Sequence, residues 1–585
     1  MTSQEVRETF IHFFQKRGHA VLPSASLVPE NDPSALFTTA GVQPLVPYIL
    51  QGSHPQGNKL ASVQKCVRTT DIDDIGDNTH ATFFEMLGNW SIGEYFKEDA
   101  IKWSYELLTS KEEGFGLDPK RLYFTVYEGA GDVPRDTESA ELWKQAGVPE
   151  NHIYFLGDDN FWPKPKKDDT YSGPCGPSTE MFYDLEGDLN LTSKEEFLKA
   201  DEEQKVVEIW NDVFMQYKKE NGEIVGKLEK QNVDTGSGLE RLLAVLQGKD
   251  SIFETDVFAP IMKELEGASI SGSDKKYLRI IADHIRTAVF MIADGVEPSN
   301  TDRGYILRRL IRRAVRAEKK IGLNPESLST ITTLITKGYE ETYPNLKDKN
   351  IFSIIDNERT KFNTTLDTGL KQLEKIEGDI SGEDAFVLFS SYGFPLELTL
   401  EVAREQGKAV DVEAFEKEMK QHQEKSKSSS AGKFKGGLGG HSEQELKYHT
   451  ATHLLNAALR QVLGDHVEQK GSNINPERLR FDFSHPDKLT DEQKQAITDL
   501  VNKWIQEDHA ISFEEMSPEE AKAQGAIGVF GDKYGEKVKV YSIGNVSKEI
   551  CGGPHVEHTN TLGTFKIKKE EASSAGVRRI KAVLN

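Results

Sequence analysis

Cysteine is scarce in this sequence, which has three such residues, Cys66, Cys175 and Cys551, in a chain of 585. Three cysteines cannot build a disulfide framework, so the chain suits a reducing compartment. The sequence also lacks a run of about 18 apolar residues, the length that a membrane-spanning helix needs. The N-terminal stretch carries both charge signs and no uninterrupted apolar core, so we expect no secretory leader. These absences predict a cytoplasmic protein without a membrane partner.

Positive charge is in deficit as well, with 72 Lys and Arg against 95 Asp and Glu and a formal net charge of −23. Such an acidic chain cannot be a general coat for nucleic acid, because phosphate backbones repel it. If it binds nucleic acid, its basic residues must be concentrated in one place. The length exceeds what one hydrophobic core supports, so we expect about two to four domains.

Two β-rich runs around an acidic, glycine-containing loop occupy the stretch from Lys59 to Trp90. Runs of this kind on either side of turn residues predict a β-hairpin. Arg68 lies where the first run enters the loop, and an arginine there can hold an anion such as phosphate against the sheet. An ordinary hairpin with a surface arginine has the same pattern, so this stretch alone does not decide the function.

A second stretch, Asn232 to Arg241, has the pattern of a strand end, a glycine-rich turn and a helix start. Glycines allow a backbone to approach a ligand closely, and Arg241 could reach back to a phosphate. Between the two stretches, Val206 to Tyr217 is a nearly continuous apolar run that predicts a buried strand. Its polar members, Asn211 and Gln216, need partners. They could cap a sheet edge, but we favour a small-molecule pocket with a few converging polar groups.

Residues 251–420 have a helical pattern, and one segment within them is rich in arginine. The arginines at helical spacing are Arg308, Arg309, Arg312, Arg313 and Arg316. This spacing places Arg308, Arg312 and Arg316 on one face of a helix. A charged run is usually a solvated face, but in a chain this acidic we expect contacts with a nucleic-acid backbone.

The stretch 421–447 is rich in Ser, Gly and Lys and predicts a flexible linker. Residues 448–585 again mix helical and strand patterns. His449 and His453 lie four residues apart on one predicted helix, and Cys551 and His555 follow much later in the chain. These four side chains form a plausible zinc set. A lone pair of histidines at this spacing is more often incidental, and the later Cys/His pair is what strengthens the prediction.

Several strings resemble the alanyl-tRNA synthetase family, which belongs to the class II aminoacyl-tRNA synthetases. In chain order they are QKCVR, TFFEMLGN, NFW, GPCGP, VFMQY, VDTGSGLER, VEQKGS and LRFDFSH. The resemblance covers nearly the whole chain and implies an α+β multidomain fold. The implied domains are a class II catalytic antiparallel sheet flanked by helices (1–250), a helical domain that recognises the tRNA acceptor stem (251–420), the linker (421–447) and a zinc-binding α+β editing domain (448–585).

The resemblance also implies an activity and the residues that perform it. The protein would activate alanine with ATP and Mg²⁺, transfer it to tRNA(Ala), and hydrolyse mischarged Ser-tRNA(Ala) and Gly-tRNA(Ala) at the zinc site. The implied residues are Arg68, Asp234 and Arg241 for catalysis; Arg68, His80, Met86, Trp162, Gly238 and Arg241 for ATP; Met86, Trp162, Asn211, Val213, Asp234 and Gly236 for alanine; Asn300, Arg308, Arg312 and Glu397 for tRNA; Gln469 and Cys551 for editing; and His449, His453, Cys551 and His555 for Zn²⁺.

A second, hydrolytic site has a physical reason. A pocket that accepts the single methyl group of alanine cannot exclude glycine sterically, and one missing methyl group changes the binding free energy by only roughly 1 kcal/mol. The extra hydroxyl of serine is also poorly rejected by a small apolar pocket. Hydrolysis of wrongly charged tRNA would supply the missing selectivity.

The sequence departs from the family pattern in three ways. Thr79-His80-Ala81 stands where the family commonly has Arg before the first of two His, so some ATP contacts are expected to differ. Glu397 stands at a position that is usually Asp and that, with Asn300, matches the residues reading a G·U pair in the acceptor stem. No stretch matches the small glycine-rich barrel before the editing domain or the C-terminal dimerisation domain, so we expect a shortened form that is a monomer.

Three alternatives stay open at this point. The chain could be a tRNA-binding or regulatory paralogue without catalysis, although Arg68, Asp234 and Arg241 argue against that. It could be a deacylase with an inherited N-terminal half. Within the synthetases, threonine is the nearest competing substrate, but the motifs of the first half do not fit a threonine enzyme.

Overall fold

A sheet of nine strands runs through the first 240 residues, as far as the structure describes them. The structure is a computed structural model that describes residues 1–29, 35–165, 170–270, 273–324, 326–348, 350–431, 443–528, 537–574 and 576–585. The strands are β1 (Ala20–Val21), β2 (Lys59–Val67), β3 (Phe83–Ile92), β4 (Leu122–Tyr127), β5 (Ile153–Leu156), β6 (Phe161–Trp162), β7 (Gly173–Asp184), β8 (Val206–Glu220) and β9 (Glu223–Gly238).

The strand order is β1-β2-β3-β9-β8-β7-β4-β5, with β6 beside β7. The β1–β2 and β4–β5 pairs at the two edges are parallel, and the other pairs are antiparallel. The predicted antiparallel sheet is thus confirmed in its centre. Both faces are covered, because central strands such as β4 are buried along their whole length, as expected for near-continuous apolar runs.

Helices flank this sheet and continue beyond it. They are α1 (Ser3–Lys16), α2 (Val46–Gln51), α3 (Lys97–Thr109), α4 (Thr137–Gln145), α5 (Lys194–Glu202), α6 (Leu239–Leu246), α7 (Ala259–Ala268), α8 (Lys275–Ala293), α9 (Asp302–Lys320), α10 (Ser327–Tyr339), α11 (Ile351–Lys375), α12 (Gly382–Tyr392) and α13 (Leu396–Glu405). The predicted helical region after residue 251 is therefore present.

The predicted hairpin from Lys59 to Trp90 is confirmed. Strands β2 and β3 pair without a register shift, from Lys59 opposite Ser91 to Val67 opposite Phe83. On its other side β3 pairs with β9, so that Met86 lies opposite Gly238 and Trp90 opposite Asp234. Two stretches that are far apart in the sequence are thereby neighbours in the sheet.

The glycine-rich turn that was predicted before Arg241 is wrong. Strand β9 runs unbroken through Gly236 and Gly238, and α6 begins at the next residue. Gly236 serves close packing rather than a turn, because a Cβ atom there would lie 3.1 Å from the sulfur of Met86. Sequence cannot distinguish these two uses of glycine.

The arginines of α9 are mostly buried rather than arranged on a solvated face. Arg309, Arg313 and Arg316 are each less than 9% exposed. Arg313 pairs with Glu401, and Arg316 pairs with Glu401 and Glu405. The local sequence pattern could not show that these arginines are paired and buried, because their carboxylate partners on α13 come from a distant part of the chain.

The C-terminal part of the chain contains two further sheets. Its strands are β10 (Gln469–Asn475), β11 (Arg478–Ser484), β12 (Ile511–Met516), β13 (Val538–Ile543), β14 (Ser547–Ile550), β15 (Phe565–Ser574) and β16 (Val577–Leu584), in the orders β10-β11-β16-β15 and β12-β13-β14. Its helices are α14 (Val412–Ala431), α15 (Glu443–Leu463), α16 (Asp491–Gln506) and α17 (Pro518–Ala523). The predicted α+β character is confirmed.

The linker predicted at 421–447 is helical at both ends, since α14 continues to Ala431 and α15 begins at Glu443. No Gly or Pro interrupts residues 412–431, and Glu, Lys and Gln, which favour helices, are frequent there. The middle of the predicted linker lies outside the described residues.

The chain divides into two compact units, one of residues 1–380 and 387–410 and the other of residues 381–386 and 411–585. The first unit contains the first predicted domain, 1–250, and most of the second, 251–420. Within the described residues, no helix combines the length and the apolar character needed to cross a membrane.

Candidate functional site

One cavity of about 150 Å³ collects the predicted residues of the first unit. Ten of them line it: Arg68, His80, Met86, Trp162, Asn211, Val213, Asp234, Gly236, Gly238 and Arg241. They come from β3, β6, β8, β9, α6 and the segment that joins β2 to β3. The sheet register accounts for the convergence, because Asn211 lies opposite Gly236 and Val213 opposite Asp234.

Asp234 contributes a buried carboxyl group to this cavity. The indole Nε1 of Trp90 donates a hydrogen bond of 2.7 Å to its Oδ1 atom. Burial raises the pKa of Asp234 to about 7, and the hydrogen bond from Trp90 partly opposes the rise. A cation such as an ammonium group placed beside it would favour the charged form.

Asn211 offers a second polar group beside Asp234. Its Nδ2 atom donates to Glu180 over 3.2 Å, which leaves its buried Oδ1 atom with no hydrogen-bond partner among the described residues. A buried acceptor without a partner is costly and often marks a ligand contact. Burial and the nearby charge of Glu208 hold the pKa of Glu180 well above its usual range.

Two guanidinium groups lie at the other end of the cavity. Arg68 is exposed, its Nε atom donates to the carbonyl oxygen of Thr39 over 3.2 Å, and it lies 4.9 Å from the ring centre of Phe84. Arg241 donates from Nε to the carbonyl oxygen of Thr79 and lies 3.4 Å from Glu208. Both groups keep enough exposed surface to bind an anion, and neither is held by a short buried ion pair.

His80 lies on the segment that joins β2 to β3 and also lines the cavity. Its Nδ1 atom is 2.5 Å from Asp77, whose carboxylate also accepts hydrogen bonds from the backbone N–H groups of Thr79 and His80. The hydrogen bond to Asp77 raises the pKa of His80, with burial opposing it. Burial would raise the pKa of Asp77, but its hydrogen bonds with His80 lower it to about 2.

Sequence reasoning missed several residues of the cavity, among them Glu208, Glu240 and Phe84. Simple alternation along β8 places Glu208 on the opposite face from Asn211. A register shift opposite Met181 and Phe182 brings Glu208 to the cavity. Such bulges re-aim side chains next to active sites and leave no clear mark in a single sequence.

The four predicted tRNA contacts lie outside this cavity, close to one another. Arg308 donates to the side-chain oxygen of Asn300 and lies 3.1 Å from Glu358. Arg312 also binds Glu358, over 2.6 Å. Glu397 accepts a hydrogen bond of 2.8 Å from Tyr305. The predicted roles of these residues in binding tRNA stay predictions.

The second unit brings His449, His453, Cys551 and His555 together. One potential ligand atom of each lies within 4.8 Å of the others. The Nδ1 atoms of the histidines have partners outside the cluster: the carbonyl oxygen of Pro554 for His449, Glu549 for His453 and the hydroxyl of Thr450 for His555. Outer partners of this kind leave Nε2 for a metal and fix the tautomer.

Two further observations show that this cluster suits a metal ion. The Nε2 atom of His555 is buried without a hydrogen-bond partner among the described residues. Burial would raise the pKa of Cys551, but the nearby imidazoles of His449, His453 and His555 lower it to about 2, which favours the thiolate. A thiolate with three imidazoles is a donor set that zinc accepts. Gln469 lies on β10, and its predicted role in editing stays a prediction.

Comparison with known proteins agrees with this geometry. The family described as tRNA synthetases class II (A) matches residues 5–469, and the threonyl and alanyl tRNA synthetase second additional domain matches residues 538–581. The alanine–tRNA ligase of Treponema denticola is 48% identical over 604 aligned residues, which cover 100% of this chain and 99% of the relative. The chain belongs to the alanine–tRNA ligase family.

Other members of the ligase family differ in length. The alanine–tRNA ligase of Borreliella afzelii is 47% identical, with 100% of both chains covered. That of Thermotoga maritima is 37% identical, and the match covers 100% of this chain but 80% of the relative. This difference agrees with the shortened form expected from the sequence. A solved pyrrolysyl-tRNA synthetase from Desulfitobacterium hafniense aligns with a TM-score of 0.23 at 12% identity, over 43% of this chain and 72% of that one.

Proposed function

We propose that this chain is an alanine–tRNA ligase with a separate site for hydrolysing mischarged tRNA. The observation that carries the first activity is the small cavity in which a buried carboxyl group, Asp234, lies with two accessible guanidinium groups, Arg68 and Arg241. The carboxyl group suits the ammonium group of an amino acid, and the guanidinium groups suit phosphates. Membership of the ligase family selects alanine as the amino acid.

The first step joins alanine to the α-phosphate of ATP. The carboxylate of alanine attacks the α-phosphorus, and pyrophosphate leaves. Arg68 would stabilise the charge that develops at the α-phosphate, while Arg241 and His80 would hold the departing phosphates. Mg²⁺ bound with ATP would neutralise further phosphate charge, and the carboxylate of Glu208, at the edge of the cavity, could hold it. No covalent link to the protein is needed.

The size of the cavity would limit the amino acid side chain. The cavity is lined by Met86, Trp162, Val213 and Gly236. A Cβ atom added at Gly236 would lie 3.1 Å from the sulfur of Met86, so little space is free between these two residues. A methyl group can be accommodated beside Asp234, whereas a larger side chain would have to displace one of these residues. Asn211 would accept a hydrogen bond from the ammonium group with its unpartnered Oδ1 atom.

The second step transfers the alanyl group to the 3′ end of tRNA(Ala). Asn300, Arg308 and Glu397 are proposed to read the acceptor stem, including its G·U pair. Two observations support this proposal: all three side chains reach the surface, and Asn300 and Glu397 contact Arg308 and Arg309 on α9. Arg312 is more strongly engaged, because both its Nε and Nη2 atoms bind Glu358.

The third activity, hydrolysis of Ser-tRNA(Ala) and Gly-tRNA(Ala), is proposed for the cluster in the second unit. His449, His453, Cys551 and His555 would hold Zn²⁺, which when bound would order the hydrolytic site around these four side chains. Glu549 would keep His453 in the orientation needed to bind it. Gln469 is proposed to contact the substrate. We also propose that the protein is cytoplasmic, in keeping with its three cysteines, none of which forms a disulfide bond, and that it is a monomer.

Alanylation of a tRNA acceptor-stem minihelix tests this function. The protein should charge a minihelix that contains the G·U pair with alanine, and it should charge one with a G·C pair much more slowly. Asp234→Ala should abolish charging, whereas Glu223→Ala, an exposed change near the far end of β9, should leave it unchanged. Absence of charging by the unaltered protein would reject the proposal.

A further inference from the structure

The sheet β12-β13-β14 has two different faces. Val538 and Val540 on β13 pack with Met516 and Ala521, which belong to the side covered by α17. The residues that alternate with them point to the other side, where Phe513 lies directly opposite Tyr541 and Glu515 opposite Lys539. Phe513 is 51% exposed there, on an edge strand. A large aromatic ring is therefore offered to solvent.

Two ring contacts connect this exposed ring to the metal cluster. The centres of the Phe513 and Tyr541 rings are 5.2 Å apart, and those of Tyr541 and His555 are 4.4 Å apart. The hydroxyl of Tyr541 lies against Gly553, where an added Cβ atom would be 2.2 Å from it. The aromatic surface thus begins at a metal-binding residue and extends outward from it.

A positive charge accompanies this surface. The Nζ atom of Lys539 lies 4.9 Å from the centre of the Phe513 ring, and the lysine side chain is 43% exposed. The carboxylate of Glu515 lies 3.8 Å from the Nζ atom of Lys539, close to the limit of an ion pair. Lys539 is also linked to the cluster through its backbone, since its carbonyl oxygen accepts a hydrogen bond from the backbone N–H of Cys551. An aromatic ring with an adjacent cation matches the chemistry of a nucleotide, a flat base joined to phosphate.

We infer that Phe513 and Tyr541 form a stacking platform for the terminal adenine of an aminoacylated tRNA whose ester bond is at the metal cluster, and that Lys539 contacts the adjoining phosphate. The inference rests on the proposed hydrolysis of mischarged tRNA. The aminoacyl ester is attached to the ribose of that terminal nucleotide, so the base must lie about one nucleoside away from the cluster. Single exposed apolar residues are common and often have no role; the ring path to His555 and the cation set this one apart.

Variants of Phe513 test the platform in the full chain. Phe513→Ala should raise the KM for deacylation of Ser-tRNA(Ala) about tenfold, since loss of one stacked base weakens binding by that order. Phe513→Trp should retain the original KM, because any flat ring can stack. Glu514→Ala, an exposed change on the opposite face of the same strand, should have no effect. ATP–pyrophosphate exchange with alanine should be unchanged in all three.

A fluorescent base gives a second, direct readout. A minihelix ending in 2-aminopurine in place of the terminal adenine should lose fluorescence on binding the original protein and Phe513→Trp, but much less on binding Phe513→Ala. If the original protein deacylates Ser-tRNA(Ala) and Phe513→Ala does so with the same KM, the platform is wrong while the proposed function stands. If the original protein does not deacylate, the proposed hydrolysis fails and the platform with it.

Discussion

At the scale of single residues, the role proposed for Asp234 makes the binding of an ammonium group depend on pH. Its pKa is raised to about 7 by burial, so the empty site holds a neutral carboxyl group below that pH and a carboxylate above it. Only the carboxylate attracts an ammonium group strongly. The KM for alanine in ATP–pyrophosphate exchange should therefore rise as the pH falls from about 8 to about 6.

The Asn variant of Asp234 supplies the control for this pH dependence. Asp234→Asn removes the titrating group, so its KM for alanine should be high and independent of pH over the same range. Asp212, also buried and with a pKa raised to about 7, stays in place in both proteins. A KM for alanine that is flat in the original protein would show that Asp234 is not the group that binds the substrate.

His80 predicts a pH dependence of the opposite sign. The pKa of His80 is raised by its hydrogen bond to Asp77, so the imidazole is charged at lower pH and loses its charge as the pH rises through that raised value. If the charged ring holds a phosphate, kcat/KM for ATP should fall on the alkaline side. Asp77→Asn should move this fall to lower pH, measured by ATP–pyrophosphate exchange over a pH series.

An arginine at the same place tests the charge itself. His80→Arg stays charged throughout the range and should remove the alkaline fall, whereas His80→Gln should be weak at every pH. An identical pH profile in the original protein and in both His80 variants would be evidence against a charged contact between His80 and ATP.

At the scale of elements, helix α9 illustrates both the strength and the limit of sequence reasoning. Periodicity located the helix and its arginines correctly, because apolar and charged residues alternate at helical spacing. The pattern could not reveal what the arginines face. Their carboxylate partners, Glu358, Glu401 and Glu405, lie on other helices and are invisible to a local pattern.

The burial of these pairs leads to a prediction about Arg312. Arg312→Gln removes two hydrogen bonds from Glu358, which is 2% exposed, and should destabilise the first unit by on the order of 3 kcal/mol. The midpoint of its thermal unfolding should fall accordingly. The double variant Arg312→Gln/Glu358→Gln should recover part of the loss, because it no longer contains an underpaired buried carboxylate.

The result for Arg312→Gln also distinguishes a structural role of Arg312 from a contact with tRNA. If Arg312 contacts the tRNA backbone instead, Arg312→Gln should raise the KM for tRNA and make that KM less dependent on salt, without changing the unfolding midpoint. An unchanged midpoint combined with a raised KM would therefore contradict the structural role that its contacts with Glu358 indicate.

The candidate site, like helix α9, could be predicted from the sequence only in part. The resemblance named ten residues that meet in one cavity, and alternation along β8 and β9 accounts for the five that lie on these strands. Glu208 escaped because a register shift reverses its face. The glycines before α6 were misread because a glycine needed for close packing against Met86 looks the same in sequence as one needed for a turn.

At the scale of the whole molecule, the sequence predicted two domains, 1–250 and 251–420, but most of their residues pack into one compact unit. A buried network joins them: Arg7 binds Glu85, Tyr343 donates to Glu85 over 2.7 Å, and Arg286 binds Glu240. Glu85 and Tyr343, which are bonded in this network, are 258 positions apart in the chain. Composition and local pattern contain no record of such long-range pairs, so the predicted boundary near residue 250 stays a prediction.

The presence of two distinct sites predicts that their activities can be removed separately. Cys551→Ala should reduce deacylation of Ser-tRNA(Ala) by about a hundredfold or more, because it deletes a ligand of the proposed metal, while alanylation should change by less than about twofold. Asp234→Ala should do the reverse. Both assays use the same preparations and the same tRNA. Loss of both activities in either variant would contradict the division into two sites.

The most direct measurement of the central claim is ATP–pyrophosphate exchange by the unaltered protein with each amino acid in turn. The cavity around Asp234 predicts rapid exchange with alanine, slower exchange with serine and glycine, and none above background with larger amino acids, threonine included. A preference for another amino acid, or no exchange with any of them, would contradict the account.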